Sequence, residues 1–154
     1  MSPVVVTAPL TGLIVPLSEV PDPVFAQRLV GPGLAISPTP QRQTILSPID
    51  GRLLKLKPHA FIVAEGRTAV LVHLGIDTVL LDGAASSLIA VEKQIVRAGE
   101  PIMFWDPILV EAAGLSAICP VVALDAPADA VADLAHGEVV AGAELFTWRE
   151  RIYG

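Results

Sequence analysis

Fourteen prolines and twelve glycines cut this chain into short pieces. Proline removes a backbone donor and fixes φ, and glycine in a regular element costs extra conformational entropy, so a long helix is excluded almost everywhere. The runs between these breaks are rich in Val, Ile and Leu, and short apolar runs bounded by turn residues read as strands. Strands are predicted over 13–16, 34–37, 44–46, 52–57, 60–64, 69–74, 79–81, 101–105, 121–123 and 144–148, with short helices over 108–113 and 127–135. Asp50-Gly51, Glu65-Gly66 and Asp82-Gly83 are predicted tight turns, because glycine takes positive φ without a steric penalty. The fold class is therefore all-β, an antiparallel sandwich or barrel with one or two short helices.

Internal repetition sharpens that expectation. Val6-Thr7-Ala8-Pro9-Leu10-Thr11-Gly12 recurs as Ile45-Leu46-Ser47-Pro48-Ile49-Asp50-Gly51, each followed by an apolar run, at a constant offset of 39. Val96-Arg97-Ala98-Gly99, running on to Trp105, recurs as Val139-Val140-Ala141-Gly142, running on to Trp148, at an offset of 43. Each copy sets a glycine turn beside a short strand, so the economical reading is one duplicated supersecondary unit.

At 154 residues with 53% hydrophobic and 17% charged side chains, the chain can bury one substantial core and has little left for a solvated tail. A single domain over 1–154 is expected. The net charge of −6, without a run of Lys or Arg, argues against nucleic-acid partners and against a basic membrane-surface segment. Residues 1–18 carry no charged side chain, yet Pro3, Pro9, Gly12 and Pro16 interrupt them, so neither a signal peptide nor a membrane span is predicted. The lone Cys119 lies in an apolar setting and reads as a buried thiol in a reducing cytoplasm.

Few residues are left to carry chemistry. In Leu71-Val72-His73-Leu74, alternation sets Leu71 and His73 on one face, so His73 stands on an apolar surface. If 60–64 and 69–74 pair through a turn centred on Gly66, His59 comes opposite His73, within side-chain reach. Two imidazoles on an apolar surface cannot both be charged cheaply. A neutral imidazole attacks phosphorus well, and a second one can donate to the oxygens of the phosphohistidine formed, so the pair suits phosphoryl transfer. Two histidines do not complete a zinc site, and the His73-x-x-x-Asp77 spacing lacks the His-x-His partner of the cell-wall endopeptidases it is similar to. No Gly-x-Ser-x-Gly elbow is present, and Gly31-Pro32-Gly33 leads into a strand rather than a phosphate-binding helix. A biotinyl or lipoyl carrier needs an exposed hairpin lysine, and Met103-Phe104-Trp105-Asp106 has none. His136, before Gly137 at an expected helix end, reads as a dipole-stabilising residue.

These residues resemble the glucose-type enzyme IIA of the bacterial phosphoenolpyruvate-dependent sugar phosphotransferase system. His73-Leu74-Gly75-Ile76-Asp77-Thr78-Val79 and Pro58-His59-Ala60-Phe61 carry the likeness, with Ala8-Pro9-Leu10-Thr11-Gly12, Val20-Pro21-Asp22-Pro23, Ser47-Pro48-Ile49-Asp50-Gly51 and Ala98-Gly99-Glu100-Pro101 in the same order. The resemblance implies a cytoplasmic phosphocarrier without cofactor or metal. It accepts a phosphoryl group from phospho-HPr on His73, through Nε2, and passes it to the IIB domain of a sugar permease; His59 supports. Asp77 would meet a basic partner, and Phe25, Leu29, Val30, Leu71 and Val79 match the apolar docking depression. The same fold serves regulatory modules with their own targets, which stands as the alternative. Two departures are visible: the segment from Gly51 to His59 is shortened, and Lys57-Pro58 stands where a hydroxyl residue often precedes the supporting histidine.

Overall fold

The computed structural model describes residues 3–149. Its strands are β1 (Val4–Thr7), β2 (Gly12–Val15), β3 (Gly33–Pro38), β4 (Gln43–Leu46), β5 (Gly51–Lys57), β6 (Ala60–Glu65) and β7 (Thr68–His73). There follow β8 (Ser86–Leu88), β9 (Ile95–Val96), β10 (Pro101–Trp105), β11 (Cys119–Ala123), β12 (Val131–Ala132), β13 (Glu138–Val139) and β14 (Glu144–Trp148). Two short helices, α1 (Pro23–Ala26) and α2 (Pro107–Ala112), begin alike: Asp22 and Asp106 cap them by accepting from Val24 and Ile108, with proline at the first helical position. Among the described residues no helix is long and apolar enough to cross a membrane.

One eight-stranded antiparallel sheet, in the order β13-β2-β3-β11-β7-β6-β5-β9, is joined by two three-stranded sheets, β1-β14-β12 and β4-β10-β8. The all-β duplicated reading holds down to single hydrogen bonds. Val4 pairs with Trp148 and Gln43 with Trp105, and both ladders carry an irregularity before their last pair, Thr7 with Glu144 and Leu46 with Pro101. Gly12 meets Val139 as Gly51 meets Val96. The two copies exchange matching bonds: Thr7 donates its N–H to Pro48 and Leu46 donates to Pro9, each at 2.9 Å. The side chains of Thr11 and Asp50 accept from Ala141 and Ala98. Gly12 and Gly51 are required at these crossings, since a Cβ would lie 2.1 Å from the Ser37 carbonyl oxygen or 2.4 Å from that of Ala64.

The duplication extends into the middle of the large sheet. Registers of β3 with β11 and of β6 with β7 superimpose Ile36·Cys119 on Val63·Val70, so the pair Val121·Val72 at the centre is its own counterpart. The core between sheets is built from residues of both copies, including Leu10, Ile49, Phe61, Val72, Trp105, Phe146 and Trp148. Cys119 is buried within it, and burial pushes its thiol up to about 12.

Three sequence expectations are corrected. Residues 79–81 are not a strand: Thr78–Leu81 forms a 3-10 turn, closed by bonds from Leu80 to Asp77 and from Asp82 to Val79, with Asp77 at φ 60° and Asp82 at φ 49°. Residues 127–135 are not a helix: only Ala128–Ala130 turns, because Val131 and Ala132 pair with Trp148 and Thr147, so tertiary pairing overrides alanine's helix propensity. His136 accordingly has no helix to terminate and lies exposed in an irregular segment. At Asp50-Gly51 there is no hairpin turn either; Gly51 is extended and opens β5.

Candidate functional site

β6 and β7 form a hairpin through Gly66 and Arg67, with Gly66 at φ 58°. The register sets Ala60, not His59, opposite His73, one place off the sequence expectation. His59 lies instead in the two-residue turn Pro58-His59 between Lys57 and Ala60. The two histidines nevertheless converge, because Leu74 N–H donates to the His59 carbonyl at 2.8 Å and ties that turn to the end of β7. Their ring centroids are 5.4 Å apart, edge to face at 69°.

The His73 Nδ1 lies 2.5 Å from the Gly75 carbonyl oxygen. A carbonyl only accepts, so Nδ1 carries the proton and Nε2 keeps its lone pair. Nε2 has no hydrogen-bond partner among the described residues. Gly75 can present its carbonyl this way because it adopts φ 78° in a loop pinned by Ile76 N–H to Ser116 and by Thr78 Oγ1–H to Leu74. A Cβ at Gly75 would meet Thr78 Cγ2 at 2.6 Å and the Ser116 oxygen at 2.9 Å. Gly75→Ala is expected to lower stability by about 1–3 kcal/mol and to free the imidazole from its fixed tautomer. Denaturant unfolding reads the first effect, and 15N shifts of the His73 ring read the second.

Burial holds both imidazoles below the ordinary value of 6.5. For His73, burial outweighs the opposing Gly75 bond and the carboxylates of Asp22 and Asp77. For His59, burial leads, followed by His73 and the Lys57 charge. Both rings are therefore neutral at pH 7, the form in which a nitrogen can act as nucleophile.

The floor beside His73 is a separate apolar cluster of Leu17, Val20, Phe25, Ala35, Ile76 and Val122, with Val15, Val30, Leu71 and Ile118 packed against it. Phe25 tilts against His73 with centroids 5.2 Å apart. Of the expected docking residues, Leu29 and Val79 are exposed at 67% and 60%, Asp77 is exposed, and Val30 and Leu71 are half-buried. Phe25 is corrected in one respect: at 6% exposure it is floor rather than surface, because the capped α1 lays its ring into that cluster. Sequence reading missed Leu80, which is 75% exposed, and the electrostatic role of Asp22. Asp22-Pro23 is a helix-start signal that could have located α1, which was not expected, though not its distance from His73. A recess on the other side of His59 is lined by Lys57, Val79, Asp82, Ser86 and Trp105. Among the described residues no group of three His, Cys, Asp or Glu side chains stands close enough to hold a metal ion.

A duplicated antiparallel fold with two neutral imidazoles converging over an apolar floor defines a class of β domain with a histidine pair at one end of a hairpin. Residues 4–128 match the model of the family described as phosphoenolpyruvate-dependent sugar phosphotransferase system, EIIA 1, and the chain belongs to that family. It is 40% identical over 122 residues to the glucose-specific EIIA component of Oceanobacillus iheyensis, covering 77% of this chain and 73% of that protein. It is also 40% identical over 124 residues to the glucose-specific EIIBCA component of Corynebacterium glutamicum, covering 79% of this chain but 18% of that longer protein. Among solved structures, glucose permease IIA from Mycoplasma capricolum superimposes with a TM-score of 0.87 at 30% identity, covering 96% of both chains.

Proposed function

We propose that this chain is a phosphocarrier of the sugar phosphotransferase system, working as a single domain in the cytoplasm. It accepts a phosphoryl group from phospho-HPr on His73 and passes it to the EIIB domain of a sugar permease. The observation that carries this reading is the Nδ1–H bond from His73 to Gly75, which leaves Nε2 unshared and 5.4 Å ring to ring from a second imidazole. Membership of the EIIA 1 family and the EIIBCA relative, named as one chain, support the partner.

In the transfer, the His73 Nε2 lone pair attacks phosphorus. The new N–P bond forms as the donor's N–P bond breaks, and that electron pair returns to the donor's ring nitrogen. The proton stays on Nδ1 and remains hydrogen-bonded to the Gly75 carbonyl, whose oxygen stabilises the positive ring that phosphorylation creates. His59 donates a ring N–H to a phosphoryl oxygen. Little covalent work is asked of the protein, so rate depends on positioning and charge. Leu29, Val30, Leu71 and Val79 form the docking surface above Phe25, and Asp77 meets a basic group of the partner; an exposed apolar area with a charged rim is the usual mark of an interface.

Incubation with phosphoenolpyruvate, enzyme I and HPr, followed by mass mapping of acid-labile phosphate, tests the reading. Label on His73 and its onward passage to an EIIB domain are expected; an unlabelled chain overturns it. The pH dependence follows from the lowered imidazoles. Phosphoryl acceptance is expected to hold constant through pH 6.5 and to fall only below it, as His73 protonates. Stability has the same sign: below 6.5 the unfolded histidines bind more protons than the folded ones, so acidification through that value destabilises the chain. A rate profile and unfolding curves between pH 5 and 8 check both; an activity midpoint above 6.5 contradicts the assignment.

A further inference from the structure

The proposed phosphoryl site has two carboxylates beside it, Asp22 and Asp77, and two imidazoles held neutral. A dianionic group placed there needs a cation, and neither histidine supplies one at pH 7. The register identifies where one stands. Lys57 is directly opposite Ala60, and Ala60 is directly opposite His73, so the three form a row across β5, β6 and β7. Directly opposite residues share a face. The next row, Leu56, Phe61 and Val72, is buried, which assigns Lys57, Ala60 and His73 to the outer face. Two strand spacings, about 10 Å, separate the backbones of Lys57 and His73. Within that row the methyl group of Ala60 stands between them, with the Pro58-His59 turn at its end, and a flexible lysine stem can extend across it toward His73.

We infer that Lys57 is the phosphate-contacting cation of this site, its ammonium meeting the phosphoryl oxygens on His73 from the Lys57–Ala60–His73 row. The inference rests on the phosphocarrier reading above. Lys57 is exposed and forms no ion pair within 4 Å with another described residue, so no such pair has to be broken for it to move. Its charge reaches His59 on one side and Glu92 on the other, whose carboxylate accepts from Leu56 N–H at 3.0 Å. Lys57 also fits a division of labour in the pair: His59, held neutral by burial first, then by His73 and the Lys57 charge, donates a hydrogen bond, while the lysine carries the charge.

The test uses the full chain phosphorylated by the donor mixture above, as wild type, Lys57→Gln and Lys57→Arg. Phosphorus NMR of the labelled protein against pH reads the second ionisation of the phosphoryl group directly, a property that a purely structural lysine does not move. Loss of the ammonium is expected to raise that ionisation by about one pH unit and to slow acceptance about tenfold, the scale of one charge-assisted hydrogen bond. Lys57→Arg is expected to keep the wild-type titration. A wild type labelled on His73 whose titration and rate are unchanged by Lys57→Gln overturns the role of Lys57 alone. A wild type that takes no label overturns the phosphocarrier reading and this inference with it.

Discussion

Replacing His73 by alanine is expected to reduce acid-labile phosphate to background while the chain stays folded. The argument is geometric. His73 has one nitrogen committed to the Gly75 carbonyl and one free, and no other described side chain combines a fixed tautomer with an unshared nitrogen over an apolar floor. His59 is near, but its ring lacks any carbonyl to hold a tautomer, and His136 lies exposed in an irregular segment away from the hairpin. Because His73 is only half-buried at a strand end, truncation costs about 1 kcal/mol of stability, within what a domain of this size tolerates. Label that persists undiminished, or that moves wholesale to His59, would sink the assignment of the nucleophile.

Truncating His59 should leave the acceptor in place and slow the chemistry. Removing a preorganised donor to a developing oxyanion costs about 10²–10³ in rate. His59→Ala is therefore expected to slow transfer in both directions by about a hundredfold, and His59→Gln by less, since an amide N–H can replace part of the hydrogen bond. Rapid-quench measurement of label arriving on His73 and leaving to an EIIB domain separates these cases. Equal rates for all three proteins would reduce His59 to a packing residue. Titrating the His73 ring in both variants provides the control: its tautomer should be unchanged, since the Gly75 bond does not depend on the His59 ring.

Much of the fold could be read from the chain because its information is local or repeated. Proline and glycine punctuation located most strands, and the offsets of 39 and 43 anticipated the matching ladders of β1 with β14 and β4 with β10. What escaped was decided by partners distant in sequence. Val131 and Ala132 sit in a stretch whose composition favours helix, and only their pairing with β14 makes them extended. Thr78–Leu81 looks like a strand until Asp77 and Asp82, both at positive φ, bend the chain there. The short strands β8, β9 and β13 have too few residues to show alternation.

The same contrast runs through the site. That His59 and His73 would meet followed from two runs and one glycine turn, although the turn spans Gly66 and Arg67 and so shifts the register by one. Phe25 could be matched by position but not by depth, because its burial depends on Ala35 and Val122, far along the chain. No helix was expected at Asp22; its capping of α1 and its field at His73 exist only once α1 is folded across the sheet. Lys57 stood out in the sequence as a departure beside His59, open to either a solvating role or phosphate contact; its row with Ala60 and His73 comes from two registers.

The internal twofold relation bears on how many cargoes the molecule can hold. Under it, the counterpart of His73 is Val122, the counterpart of Ala60 is Gly33, and the counterpart of Lys57 falls at Leu17. One copy turns from its first strand to the next in two residues, Pro58 and His59; the other spends residues 16–32 on the same step and folds them, α1 included, over Val122. That detour closes one of two equivalent faces and becomes a wall of the other through Phe25 and Asp22. The repeated scaffold thus offers two equivalent faces but leaves only one open: the segment that covers the first shapes the second.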